Sequence, residues 1–127
     1  MVSFEAFRAV DGTPVYLQII NFIKRGAIAG TIQDGDELPS RRVLSALLGI
    51  NPNTVQKAFH ILEEEHLMES RTGAKSCMTL PPDILDALRR EVLSDELCTM
   101  ARTLRQLGIS KEEALRLIEQ AWKEEEG

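Results

Sequence analysis

The chain has 127 residues, of which 43% are apolar and 28% charged, with a formal net charge of −5. That length accommodates one compact domain of roughly 100 to 150 residues with a short appendage and no second full sensor domain, and the balance of apolar and charged residues excludes a chain dominated by disordered tails. Aromatic residues are only 5% of the chain and alternating Val, Ile and Thr runs are scarce, so mainly α structure is expected.

The first helix is predicted to start with Thr13 as N-cap and Pro14 at the first helical position, where the missing N–H costs nothing. Ile19, Ile20, Ile23, Ala27 and Ile28 recur at helical spacing, and Gly30 supplies the stop. Gln33–Asp34–Gly35–Asp36 reads as a turn. Leu38–Pro39 then leads to Ser40, an N-cap for a short helix through about Leu48 whose buried face would be Val43, Leu44, Leu47 and Leu48.

Gly49 ends that helix and Asn51–Pro52 repeats the start signal, so two helices meet across a very short turn. At about 100° per residue, Val55, Ala58, Phe59 and Leu62 of the next helix share one arc and face the core. Asn53, Gln56, Lys57 and His60 share the opposite arc, all polar and none acidic.

Met68 to Leu80 is predicted to form a small β-hairpin turning at Thr72–Gly73. Pro81–Pro82 breaks the chain, and a long helical pattern follows through Leu85, Leu88, Val92, Leu93, Leu97, Met100, Leu104 and Leu107 to a stop at Gly108. Ser110 and Glu113 have capping-box spacing for a last amphipathic helix with Ala114, Leu115, Leu117, Ile118, Ala121 and Trp122. The domains read as residues 1–80 and a helical region over 81–127.

Charge is unevenly spread. Residues 1–80 hold eight Lys/Arg against nine Asp/Glu, residues 81–127 hold seven against eleven, and no acid lies between Leu38 and Leu62. One surface is therefore kept free of negative charge. The start of the chain lacks a basic flank followed by an apolar stretch, and no apolar run approaches the roughly 20 residues that span a bilayer, so a cytoplasmic protein without membrane contact is expected. Cys77 and Cys98 are isolated and expected to be reduced and mostly structural, with no metal site. His60 and His66 belong to no ligand set or triad, and no nucleophile or phosphate loop appears, so neither an enzyme nor a cofactor is expected.

A helix, a tight turn and a second helix with a donor-rich outer face match what the DNA major groove requires. Gln56 is the best candidate base reader because its amide donates and accepts, Asn53 could act similarly, and Lys57 could reach guanine or a phosphate. Arg71 and Lys75 flank Gly73 and could meet phosphate or minor-groove oxygens.

Pro14–Val15–Tyr16–Leu17–Gln18–Ile19, Gly35–Asp36–Glu37–Leu38–Pro39–Ser40–Arg41–Arg42 and Leu48–Gly49–Ile50–Asn51–Pro52–Asn53–Thr54–Val55 together resemble the GntR family of bacterial regulators over roughly residues 13 to 73. The resemblance implies a winged helix-turn-helix in which Arg42, beside Ser40 and Arg41, contacts DNA, Asn53, Thr54 and Gln56 read or clamp the groove, and Gly73 sits at the wing tip. The two helices after the wing resemble the short YtrA-like branch, in which this appendage mediates dimerisation. Two departures stand out: the usual glycine before the wing is replaced within Glu64–Glu65–His66–Leu67, and the wing reads Gly73–Ala74–Lys75–Ser76–Cys77–Met78.

The expected function is thus regulation of transcription, chiefly repression, by a homodimer on double-stranded inverted-repeat operator DNA. Its seam would be Leu93, Leu97, Met100, Leu104 and Leu107, spaced at alternating four- and three-residue steps. The sequence names no small-molecule effector. A protein-interaction module that has lost DNA binding, argued from the acidic tail, the altered wing and the net charge of −5, and a small ligand-binding helical protein, which would need an apolar pocket between the C-terminal helices near Trp122 or Cys98, are the alternatives.

Overall fold

A computed structural model of the chain describes residues 1–71 and 75–127. Its elements run α1 (Val15–Ala29), β1 (Glu37–Leu38), α2 (Arg41–Leu48), α3 (Pro52–Glu64), β2 (Met68–Arg71), β3 (Lys75–Met78), α4 (Pro82–Gln106) and α5 (Lys111–Glu126). Two compact units divide the chain, Met1–Arg89 and Arg90–Gly127, with α4 running through both. The fold is mainly α with a small β-wing, as the sequence implied; the turn at Thr72–Gly73 and the wing-tip position of Gly73 lie outside the described residues.

The core of the first unit forms where three helices meet. Ile19 and Ile23 of α1, Leu44 of α2, and Val55, Phe59 and Leu62 of α3 are fully buried, and burying each such side chain contributes about 1.5 to 3 kcal/mol. The expected faces of α1 and α3 are confirmed, with Ile28 only half-buried. That of α2 is corrected. Leu44 is buried and Leu48 half-buried, whereas Val43 and Leu47 are 51% and 68% exposed. The helix is short and touches the core along one narrow line, so these two side chains fall on its flank, on an open groove shared with Val2, Phe4 and Phe7.

Local signals set most element ends. Gly30 and Gly49 close α1 and α2 in left-handed conformation. Ser40 Oγ accepts from the Val43 amide at 3.2 Å, and Asn51 Oδ1 accepts from the Asn53 amide at 2.8 Å. Ser110 Oγ accepts from the Glu113 amide at 3.2 Å. The start of α1 differs from expectation: Pro14, not Thr13, is the N-cap, and no side chain caps the helix. The Gln18 amide group instead donates to the Val10 and Thr13 carbonyls and accepts from the Val10 amide. Those bonds tie down the incoming segment, so Thr13 is held outside the helix.

Two features had no sequence signal. The N-terminal segment packs into the unit, with Val2, Phe4 and Phe7 buried and the rings of Phe4 and Phe7 against Phe22 at centroid distances of 5.2 and 5.5 Å. Glu37–Leu38 joins the hairpin as a third strand, in the antiparallel order β1-β3-β2, with Glu37 opposite Cys77 and Leu38 opposite Ser76. Having partners on both sides explains why Ser76, Cys77 and Met78 are buried. Cys77 is thus structural, but Cys98 is exposed.

The missing family glycine is resolved in the turn between α3 and β2. The His66 amide donates to the Glu63 carbonyl and the Leu67 amide to the Leu62 carbonyl, with Leu62 and Leu67 both buried; this is a Schellman motif, whose left-handed position glycine normally fills. His66 holds it with φ of 63°. A non-glycine residue there carries steric cost from its Cβ. His66→Gly is therefore expected to stabilise the chain by about 0.5 to 1 kcal/mol, measured as a higher urea midpoint at fixed protein concentration.

Candidate nucleic-acid interface

The packing of α3 decides what it offers to solvent. With Val55, Ala58, Phe59 and Leu62 buried, Asn53, Gln56, Lys57 and His60 are exposed along the opposite side and Thr54 is half-buried at its margin. Ser40, Arg41 and Arg42 stand exposed at the start of α2, separated from α3 by the Gly49–Ile50–Asn51 turn, whose Ile50 amide donates to the Ser45 carbonyl. The wing contributes Arg71 and Lys75, cross-strand neighbours in register and both exposed. Lys75 Nζ lies 3.8 Å from the Glu37 carboxylate of β1, so part of its charge is already answered within the sheet.

The helix ends carry a contrast. A helix N-terminus bears partial positive charge and is stabilised by acidic residues; α4 and α5 follow this rule with Asp83 and with Glu112 and Glu113 in their first turns. Neither α2 nor α3 has an acid there, and α2 opens on two arginines. Cations at that end work against helix stability, so the arrangement suits an external anion better than it suits the helix itself. The acids at the far end of α3 are locally engaged: Glu63 accepts from Ser70 Oγ at 2.7 Å, Glu64 lies 2.9 Å from His60 Nε2, and Glu65 pairs with Lys24 at 3.0 Å.

Sequence reasoning missed Tyr16 of α1, over whose ring the Lys57 ammonium sits at 4.0 Å from the centroid. The signal available was weak, a single tyrosine in the first turn of α1.

Three helices, a three-stranded antiparallel wing and a helix-turn-helix whose second helix presents Asn53, Gln56, Lys57 and His60 to solvent define the class: a winged-helix DNA-binding unit. Residues 15–75 match the profile of "Bacterial regulatory proteins, gntR family". The uncharacterized HTH-type transcriptional regulator YhcF of Bacillus subtilis is 30% identical over 102 residues, 80% of this chain and 84% of YhcF. The HTH-type transcriptional repressor YtrA of the same organism is 44% identical over 63 residues, 50% of this chain and 48% of YtrA. Among solved structures, a GntR family transcriptional regulator from Listeria monocytogenes superposes with a TM-score of 0.81 at 28% identity, covering 88% of this chain and 98% of that one. The chain belongs to the GntR family of bacterial regulators, and it is a DNA-binding transcription regulator rather than an enzyme. Among the described residues no helix is long and apolar enough to cross a membrane.

Proposed function

We propose that the chain represses transcription as a homodimer that occupies an inverted-repeat operator in duplex DNA and excludes or repositions RNA polymerase there. The observation that carries this reading is the outer face of α3, polar and exposed and without an acid from Asn53 through His60, beside the arginines that open α2. In this role α3 enters the major groove. Gln56 and Asn53 pair with base edges and Thr54 clamps the backbone at the groove margin, because an amide side chain matches the acceptor and donor of adenine. Ser40, Arg41 and Arg42 hold phosphates and fix the register. Arg71 and Lys75 act secondarily from the wing, on either side of Gly73. The repressor assignment draws support from YtrA, which is named as one.

Homodimerisation would use the second unit. Leu93, Leu97 and Met100 of α4 and Leu107 just beyond it are exposed, and Leu104 is half-buried. On α5 no residue is buried, and Leu115, Leu117, Ile118 and Trp122 face solvent. Between the helices runs an open groove of about 560 Å³ lined by Leu97, Met100, Leu104, Leu115 and Ile118 among others. Soluble monomers rarely expose so continuous an apolar surface, and pairing with a second copy would bury it in a bundle. Two recognition helices would then be set roughly 34 to 36 Å apart, one turn of DNA, or a multiple of it.

Two experiments test these assignments. Selection from a randomised duplex library should return a palindromic site for the wild type. Arg42→Ala should weaken selected and unrelated duplexes alike and reduce the salt slope by about 0.9, whereas Gln56→Ala should cost on the order of 1 to 3 kcal/mol on the selected site alone. Unchanged site preference in Gln56→Ala would move base reading elsewhere. Leu97→Glu with Leu104→Glu should sediment as a folded monomer with weak operator binding; a variant that stays dimeric and binds would place the interface elsewhere.

A further inference from the structure

Lys57 is the only lysine or arginine of α3, and its ammonium is held over the ring of Tyr16 at 4.0 Å. Tyr16 is the only tyrosine in the chain and is half-buried in the first turn of α1, three residues before Ile19, which is fully buried in the core shared with α3. Both ends of the contact are therefore fixed by helix packing. Among the described residues no carboxylate lies within ion-pair distance of Lys57.

The type of contact matters. A carboxylate partner would have ordered the lysine but cancelled its charge. An aromatic face orders it through the ring quadrupole and leaves the full positive charge in place. The ring also draws the ammonium toward α1. A lysine is a point charge suited to phosphate oxygens, and in helix-turn-helix units the strand backbone passes the helices flanking the reader while bases face the reader itself.

We propose that Lys57 binds a backbone phosphate at the edge of the major groove rather than a guanine, and that Tyr16 is the positioning residue that presents it. This rests on the reading of α3 as the helix that enters DNA. Lys57 then strengthens binding to all sequences equally, and its effect runs through the ring of Tyr16.

The test is a double-mutant cycle on the full chain, read by fluorescence anisotropy on a labelled mixed-sequence duplex across a salt series. Lys57→Met should weaken binding and reduce the salt slope by about 0.9, the signature of one phosphate. Tyr16→Leu should weaken it by about two- to fivefold, the worth of an exposed cation–π contact, and should have no further effect in the Lys57→Met background. Tyr16→Phe, which keeps the ring, should bind like the wild type. In the wild-type protein the Lys57 ε-methylene protons should resonate upfield, shifted by the ring, a readout independent of how any variant folds. Wild-type affinity for Tyr16→Leu, additive losses in the double mutant, equal losses for Tyr16→Phe and Tyr16→Leu, or unshifted Lys57 protons would each overturn the proposal. A wild-type chain that binds no duplex would overturn the reading of α3 itself, a distinct result.

Discussion

The rotational setting of α3 is the constraint on which the rest of the DNA-binding unit depends. Val55, Ala58, Phe59 and Leu62 are each at most 1% exposed, and interiors packed at this density do not tolerate a helix turned about its axis. Once that stripe is locked against α1 and α2, Asn53, Gln56, Lys57 and His60 have only one direction to point. The function of the outer face is thus decided by the inner one. Caps reinforce the arrangement, since Asn51 and Ser40 satisfy amides at the very ends where the polar side chains emerge, and an unsatisfied helix start would fray there.

Electrostatics complete the picture at the level of placement rather than total. A net charge of −5 is a sum over the whole chain, whereas no acid lies between Leu38 and Leu62, and of the acids that follow, Glu65 is paired with Lys24. Tyr16 fits the same logic, ordering a cation without neutralising it.

His66 and the exposed pair Val43 and Leu47 show where local rules and tertiary demands part. At His66 the demand wins: Leu62 and Leu67 are both buried on either side of the turn, and their burial holds a left-handed backbone that the side chain disfavours. At Val43 and Leu47 an amphipathic pattern exists, but a helix of 8 residues meets the core along too narrow a strip to cover it. Apolar spacing states which residues could be buried, not how much surface is available to bury them.

The sequence by itself determined what depends on neighbours in the chain. Pro52 behind Asn51, Ser40 before Arg41, Gly30, Gly49 and Gly108 after their helices, and the period of Val55, Ala58, Phe59 and Leu62 act over a few residues, so the helices, the turn between α2 and α3 and the candidate face were legible. The family resemblance added roles for Arg42 and Gly73 that spacing alone does not assign. Only the tertiary structure decided the contacts between distant segments: the burial of Val2, Phe4 and Phe7, the pairing of Glu37–Leu38 with β3, the hold of Gln18 on Val10 and Thr13, and the seat of Lys57 on Tyr16. Each joins residues whose individual preferences are weak, with energies that appear only once the core has brought them together, and no local pattern encodes such a meeting.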